Sequence, residues 1–258
     1  MDARAGSITL FGLQFRDVSL AEAADDLVER ARTGKGVRIN FVNAHCVNVA
    51  AGDNDYLRAL ERTDLLYADG IGMAIAARLA GTGFRDNVNG TDLFVPVCER
   101  AARGGLRIGL LGARPGVAEA CAREMCRRVP GLSIAYVRDG YMAAEEEGGI
   151  VAAINEAEVD ILYVAMGVPR QELFIDKWSE RLDVGVMLGV GALLDYYSGT
   201  VRRAPLWLRH LRCEWIYRLL LEPRRLFMRY VVGNVTFLLR ALWRRFGGRL
   251  VSGRLGPD

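Results

Sequence analysis

The sequence has few of the residues that build metal sites or disulfide frameworks. Its 258 residues include two histidines, His45 and His210, and five cysteines, none in a C-x-x-C spacing. Five unpatterned cysteines do not suggest a disulfide framework, and two histidines leave a structural zinc site short of ligands. A chain of this length needs neither device to hold a core. We therefore expect reduced thiols in a cytosolic protein.

Membrane-spanning and secretory segments are also missing from the sequence. A spanning helix needs about 20 apolar residues, whereas the most apolar stretch, residues 230–239, contains Asn234 and Thr236 and is bounded by arginines. The N-terminus has no basic region followed by an apolar stretch of signal-peptide length. The expected location is the cytoplasm, with any membrane contact peripheral.

A third absence concerns nucleotide-binding motifs. The chain has neither a Walker loop nor the G-x-G-x-x-G fingerprint that nicotinamide-dependent enzymes usually carry after a strand. A Rossmann-type NAD(P)-dependent oxidoreductase therefore stays as an alternative function rather than the leading one.

The net charge of +3 combines two regions of opposite sign. Residues 1–200 carry 21 basic and 28 acidic side chains, whereas residues 201–258 carry 13 basic ones, all arginine, and 3 acidic ones. This asymmetry indicates a polyanionic partner: nucleic acid, an anionic membrane surface or a phosphorylated ligand. Apolar residues interleaved with the arginines, and the lack of a nucleic-acid motif, count against a nucleic-acid-binding module. We predict a catalytic body over residues 1–200 and a helical appendage over residues 201–258.

Apolar β-branched runs alternate with helical stretches between residues 35 and 190. This pattern predicts an α/β fold with a Rossmann-like, mostly parallel sheet and helices on both faces. Residues 1–18 predict a leading strand or hairpin. The other predicted strands are Val37–Val42, Leu65–Ala68, Arg107–Leu111, Ser133–Val137, Ile161–Ala165 and Val184–Leu188. Ligands of such sheets bind outside the carboxyl ends of the strands.

Several residues predict where helices begin. Ser19 and Glu22 form a capping box, Thr91 is placed to cap the helix after it, and Pro115 and Pro169 suit a first helical turn.

The C-terminal segment predicts two helices joined near Pro223. A single helix over residues 224–246 would place arginines along one stripe and apolar residues opposite. The arginines are Arg225, Arg229, Arg240 and Arg244, and the apolar residues are Met228, Val231, Val235, Leu238, Leu242 and Phe246. This pattern fits a helix in a membrane interface and equally a helix docked on its own domain with a solvated arginine face.

Polar groups follow the predicted strands at the ligand-binding edge. Asp69 ends the strand LLYAD, where a carboxylate serves either as a general base or as a helix cap. The loop 109–116 could present amides to a diphosphate or be a plain turn. Gln171 and Glu172 offer an amide and a carboxylate in the first turn of the next helix, and Asp195 follows a glycine-rich strand end.

Two other motifs favour structural interpretations. The letters of Asp53-Asn54-Asp55 match a metal-dependent sugar-transferase motif, but they precede a helical run, where acidic caps are common. His45 next to Cys46 suggests thiol catalysis only if a second histidine is near, so a packed or capping histidine beside an inert thiol is the favoured interpretation.

Taken together, these segments resemble the WecG/TagA/CpsF family of bacterial glycosyltransferases, also called glycosyltransferase family 26. The most specific matching strings are A-D-G-x-G, G-x-P-R/K-Q-E and E-W-x-Y-R-L-x-x-E-P-x-R. The matching segments cover roughly residues 36–240 in the family's order: FVNAHCVNVA, LLYADGIGMAIAARLAG, NGTDLF, LLGARPGVAEA, GLSIAYVRDGYM, VAMGVPRQELFI, GVGALLDYYSG, RRAPLW and EWIYRLLLEPRRLFMRYVVGN.

The resemblance implies an activity and its partners. The expected reaction is transfer of a sugar from a UDP-sugar to a polyprenyl-diphosphate-linked saccharide, with inversion and without a bound metal or other cofactor. It would take place at the inner face of the cytoplasmic membrane, within exopolysaccharide or other cell-surface synthesis. The donor sugar, the acceptor saccharide and the oligomeric state stay open.

The resemblance also implies roles for individual residues. Asp69 would be the general base, and Gln171 would belong to the catalytic pocket. Donor-binding residues would be Asn43, Gly112, Tyr141, Glu172 and Asp195. Arg218 and Arg225 would meet the diphosphates, and helical geometry extends this role to Arg229 one turn later. Phe41 departs from the family, because many members have Thr or Ser there, and this leaves the identity of the donor sugar open.

Overall fold

The computed structural model describes residues 6–205, 208 and 214–245. Its strands form one eight-stranded sheet in the order β1-β2-β4-β3-β8-β7-β5-β6, in which β1 is antiparallel to β2 and the other neighbours are parallel. The strands are β1 (Gly6–Leu10), β2 (Leu13–Asp17), β3 (Val37–Val42), β4 (Leu65–Ala68), β5 (Arg107–Gly112), β6 (Ser133–Arg138), β7 (Ile161–Ala165) and β8 (Val186–Gly189). The predicted α/β fold and leading hairpin are confirmed.

Helices cover both faces of this sheet, as the alternating pattern predicts. The helices of the body are α1 (Leu20–Thr33), α2 (Ala44–Ala50), α3 (Asn54–Glu61), α4 (Gly70–Leu79), α5 (Gly90–Gly104), α6 (Val117–Arg128), α7 (Glu147–Glu156), α8 (Arg170–Trp178) and α9 (Leu193–Tyr197). Helices α1, α5, α6 and α9 share one core with the sheet. On the opposite face, α2, α3 and α4 pack in a second core and α7 and α8 in a third.

The predicted caps at Ser19 and Asp53 hold, whereas Pro169 lies at the N-cap of α8, one residue before the helix, and two further starts differ. The capping box of Ser19 and Glu22 is present, and Asp53 caps α3 by accepting from the Tyr56 N–H at 2.9 Å. Thr91 does not cap α5, because Asn89 takes that position and accepts from the Asp92 N–H.

Pro115 precedes α6 instead of opening it. Gly116 adopts a left-handed φ of 82°, so the chain turns sharply and the helix begins at Val117. Strand β8 also begins later than predicted, at Val186. Residues 184 and 185 only accept hydrogen bonds from Gly36 and Val37 at its entrance.

The C-terminal helices run from Glu214 to Arg245. They are α10 (Glu214–Leu221), α11 (Pro223–Phe227), a π-helical turn (Met228–Val232) and α12 (Gly233–Arg245). Helix α12 packs on α2 and α4, with Phe237 1% exposed and its ring tilted against that of Phe11, 5.4 Å away between centroids. The Asn48 side chain donates to the Gly233 carbonyl at 2.6 Å. The appendage is therefore docked on the body.

Docking buries only one side of the appendage. A set of large apolar side chains stays exposed on the other side, and we call it the apolar surface: Ile216, Leu220, Leu221, Phe227, Met228, Val231, Val232, Val235, Leu238, Leu239, Leu242 and Trp243. Every described residue of the predicted apolar stripe belongs to it, and Phe246 lies outside the described residues. Within the described ranges, no helix is long and apolar enough to cross a membrane.

Candidate active site

A cleft of about 1040 Å³ lies at the carboxyl edge of the sheet. The loops after β3, β4, β5, β7 and β8 form its floor, and α10, the π-helical turn and α12 cover one side. The chain leaves β7 toward β8 and leaves the neighbouring β5 toward β6, on the opposite side, so the loops after β5 and β7 bring the strand-order reversal to this cleft. Seven of the predicted site residues whose side chains are described line it directly: Asn43, Asp69, Tyr141, Gln171, Asp195, Arg218 and Arg229.

Asp69 occupies the N-cap position of α4 but does not cap the helix. Its side chain makes no capping hydrogen bond. The Gly70 N–H instead donates to the side-chain oxygen of Asn87 at 2.8 Å. Of the two interpretations open for Asp69, the structure therefore removes the cap, and the carboxylate is available to the cleft.

The surroundings of Asp69 make its carboxyl group a weaker acid. Burial raises its pKa to about 6, against a hydrogen bond from the Asn43 side chain, 3.5 Å away, that lowers it. The carboxylates of Glu214 and Asp92 also raise this pKa, and the Arg229 guanidinium lowers it. A carboxylate with this pKa is mostly ionised at neutral pH and still basic enough to take a proton.

Asn43 connects the cleft to helix α2. Its side-chain oxygen accepts from the N–H groups of His45 and Cys46, which fixes the amide so that its NH₂ group points to Asp69. In this structure, Asn43 orients the carboxylate of Asp69 and caps α2 at the same time.

Gln171 lies in the floor of the cleft and joins two of its loops. Its Oε1 accepts from the Gly167 N–H at 3.2 Å and from the Gly191 N–H at 2.9 Å. Glu172, the next residue, is not among the residues that line the cleft and is 1% exposed. The carboxyl group of Glu172 therefore lies beneath the floor of the cleft and does not make the predicted contact with a donor in this arrangement.

Of the remaining predicted donor-binding residues, two line the cleft and one lies below its surface. Tyr141 is 67% exposed at the mouth of the cleft, and Asp195 lies in the first turn of α9 along its wall. Gly112 is below the surface: its φ is 140°, and a Cβ there would lie 2.4 Å from the Ala165 carbonyl oxygen. It allows β5 to approach β7, while the next two residues, Ala113 and Arg114, face the cleft.

Two arginines of the appendage reach the cleft. The Arg218 guanidinium lies over the Tyr196 ring at 5.4 Å. The Arg229 guanidinium lies over Tyr230, and its Nε is buried without a hydrogen-bond partner. The side chain of Arg225 is outside the described part of the structure, so its predicted contact stays a prediction.

Two residues that line the cleft, Asp92 and Glu214, were not predicted, and neither was Arg203, which is not among the lining residues but pairs with both. Arg203 bridges the body and the appendage, because its guanidinium pairs with Asp92 at 2.7 Å and with Glu214 at 3.6 Å. It also lies over the Tyr196 ring. Arg203, Asp92 and Glu214 lie in the segments RRAPLW, NGTDLF and EWIYR, so the matching strings were the signal that could have found them.

The pair His45 and Cys46 agrees with the structural interpretation. Burial raises the pKa of the Cys46 thiol to about 11, so it is a poor nucleophile. Burial, with the nearby Arg229, lowers the pKa of His45 to about 4, so its imidazole is neutral at physiological pH. His45 nevertheless lines the cleft.

Phe41 forms part of the cleft wall. Its ring stacks on Tyr67 at 5.7 Å and presses against Gly90, where a Cβ would lie 3.2 Å from the ring. A hydroxyl at this position is replaced by an aromatic surface.

As for cations, in the described ranges no group of three or more His, Cys, Asp or Glu side chains is placed to hold a metal ion.

An open, mostly parallel α/β sheet with a carboxylate, an amide and guanidinium groups around one cleft belongs to the class of α/β proteins that bind ligands at the carboxyl edge of the sheet. Comparison with known proteins specifies the family. The profile of the glycosyl transferase WecG/TagA/CpsF family matches residues 8–250. The chain belongs to this family and is a glycosyltransferase.

Two similar relatives carry the same name. The chain is 33% identical over 190 residues to the N-acetylglucosaminyldiphosphoundecaprenol N-acetyl-beta-D-mannosaminyltransferase of Bacillus subtilis (strain 168), covering 74% of this chain and 73% of that protein. It is 27% identical over 226 residues to the protein of the same name from Staphylococcus aureus (strain NCTC 8325 / PS 47), covering 87% of this chain and 88% of the relative.

Proposed function

We propose that the protein transfers a sugar from a UDP-sugar to a saccharide linked to a polyprenyl diphosphate, with inversion and without a metal. The observation that carries this proposal is the position of Asp69. It lies at the N-terminus of α4 without capping the helix, and it lines a cleft that Arg229 also lines. The relatives' names describe transfer of N-acetylmannosamine to an N-acetylglucosamine on undecaprenyl diphosphate. N-acetylmannosamine is therefore the first donor sugar to test.

In the proposed reaction, Asp69 is the general base. The acceptor hydroxyl attacks the anomeric carbon of the donor sugar, Asp69 takes the hydroxyl proton, and the bond to the UDP oxygen breaks. Direct displacement inverts the anomeric centre. Positioned proton transfer of this kind contributes about 10²–10⁴ to the rate, and the Asn43 amide keeps the carboxylate oriented for it.

The appendage supplies positive charge for the phosphates. The Arg229 Nε is buried and lacks a hydrogen-bond partner, which is costly unless an acceptor arrives. A phosphate oxygen is a strong acceptor for a guanidinium. Arg218, held over Tyr196, lies along the same cleft. We assign both arginines to the diphosphate groups of the substrates.

The exposed apolar surface of the appendage is assigned to the membrane. Val231, Val235 and Leu238 belong both to this surface and to the lining of the cleft. The cleft is therefore continuous with the apolar surface on that side. A peripheral contact there would place the site beside the head group of a lipid-linked acceptor.

A panel of nucleotide sugars tests the activity. Purified protein is incubated with single UDP-sugars, beginning with UDP-N-acetylmannosamine, and with an N-acetylglucosamine acceptor on a short polyprenyl diphosphate. We expect one added sugar by mass spectrometry, equal rates with EDTA, and the inverted anomer by NMR. Stabilisation by NAD(P) but not by UDP in a thermal-shift assay, with no transfer product, would instead favour an oxidoreductase.

A further inference from the structure

The buried carboxyl group of Glu172 is the feature of the cleft floor that the proposed reaction does not use. It is 1% exposed, and its Oε2 has no hydrogen-bond partner. Burial raises its pKa to about 7, and no cation is among the groups that shift it. A buried carboxyl without a compensating charge destabilises the fold, which points to a use for this one.

The carboxyl group of Glu172 has one specific side-chain hydrogen bond, to its neighbour Gln171. Glu172 Oε1 accepts from the Nε2 of Gln171 at 2.9 Å. The other end of the Gln171 amide, Oε1, accepts from the backbone of Gly167 and of Gly191. Because two N–H donors converge on that atom, it must be the oxygen, and Nε2 must therefore face Glu172.

The two glycines held in this way belong to the loops after β7 and β8. Both loops line the cleft; the Val190 N–H donates to the Val164 carbonyl of β7 at 2.9 Å, and beyond this bond Gln171 connects the two glycines. Space below the amide is also limited, since a Cβ on Gly189 would lie 3.1 Å from Gln171 Nε2 and 2.4 Å from Asn40 Oδ1. The position of the Gln171 amide thus sets the spacing of the two loops.

We propose that Glu172 is a positioning residue, which holds the Gln171 amide in the one orientation that ties the loops after β7 and β8 into a donor-binding floor. Without an acceptor at position 172, the buried Nε2 of Gln171 would lose its partner. An unsatisfied buried N–H favours a different side-chain orientation, and rotation of the amide would release the N–H groups of Gly167 and Gly191.

Two substitutions at one position test this role. Glu172→Gln keeps an oxygen that accepts from Gln171, whereas Glu172→Met keeps the length and removes the acceptor. Hydrogen exchange measured by mass spectrometry should show faster exchange at Gly167 and Gly191 in E172M and unchanged exchange in E172Q. This measurement needs no substrate, so it stays informative even if the proposed transferase activity fails.

Nucleotide binding and kinetics give the second part of the test, which rests on the proposed function. We expect the Kd for UDP and the donor KM to rise at least tenfold in E172M, since misplaced binding groups cost this much or more. E172Q should stay within twofold of the wild type. The melting temperature of E172M should not fall in parallel, because the substitution removes an uncompensated buried acid.

Asp176→Asn is the matched control on the same helix. Asp176 pairs with Arg38, near the start of β3, and with Arg62, which precedes β4, so it lies at the edge of the sheet opposite the cleft. The donor KM of D176N should therefore not change. Unaltered exchange and donor KM in E172M would overturn the proposal. Equal losses in E172Q and E172M would also overturn it, because the carboxyl group itself, and not an acceptor for Gln171, would then be required.

Discussion

The body and the appendage line the same cleft but hold their polar groups in different ways. In the body, Asn43 and Gln171 are fixed by hydrogen bonds to backbone N–H groups before any ligand is present. In the appendage, Arg218 and Arg229 lie over aromatic rings, and the buried Nε of Arg229 is unsatisfied. The body is thus preorganised for chemistry, whereas the appendage has donors that a phosphate ligand would complete.

The docked position of the appendage also changes how this difference is best tested. Deleting residues after 200 would remove Phe237 and Ala241 from the core that they share with Phe11 and Met73. Loss of activity would then reflect exposure of this core, since removing a buried aromatic costs about 3–5 kcal/mol. Single substitutions that leave Phe237 in place separate the two regions more clearly.

Substitution of the proposed base is expected to have the largest effect. Asp69→Asn keeps the shape of the side chain but removes its basicity, so kcat should fall by about 10³-fold or more. Binding of UDP, measured by isothermal titration calorimetry, should be largely retained. Asp53→Asn is the control, because asparagine caps a helix as well as aspartate does. Near-normal turnover in D69N on the true acceptor would contradict the assignment of Asp69.

The pH dependence of the rate is the next largest effect. Only ionised Asp69 accepts a proton, and its pKa is about 6. The value of kcat/KM should therefore be constant above pH 7 and fall about tenfold per pH unit well below pH 6. Initial rates between pH 4.5 and 8, with protein integrity followed by circular dichroism, would measure this limb. A rate that stays constant down to pH 4.5 would exclude Asp69 as the base.

Membrane binding should depend on the appendage and not on the body. Leu239 is 62% exposed and does not line the cleft. Leu239→Asp removes apolar contact worth about 1.5–3 kcal/mol and places a negative charge near lipid phosphates. Sedimentation with anionic liposomes should weaken at least tenfold, while transfer to a water-soluble short-chain acceptor continues. Thr82→Asp adds the same charge to the exposed surface of the body and should change neither measurement.

The sequence predicts the sheet better than it predicts the cleft, for a physical reason. Runs such as Ile161–Ala165 carry their own pattern, because both faces of a parallel strand are buried. The role of Asp69, in contrast, depends on Asn87, which caps α4 from a different loop. Gln171 and Glu172 are neighbours in one motif, yet only Gln171 reaches the cleft, since successive residues of a helix point in different directions.

The smallest expected effect concerns the acid limb, which is the fall of kcat/KM at low pH. Charged residues of the appendage should shift the pH at which this fall occurs. Arg229 lowers the pKa of Asp69, and Glu214 raises it. Arg229→Met should therefore move the limb to higher pH, and Glu214→Gln should move it to lower pH, each by a fraction of a pH unit. The measurement is the pH profile of kcat/KM, which separates this displacement from any loss of diphosphate binding that lowers the rate at every pH. If both variants leave the limb where it is, the appendage acts on the substrate alone and not on the base of the body.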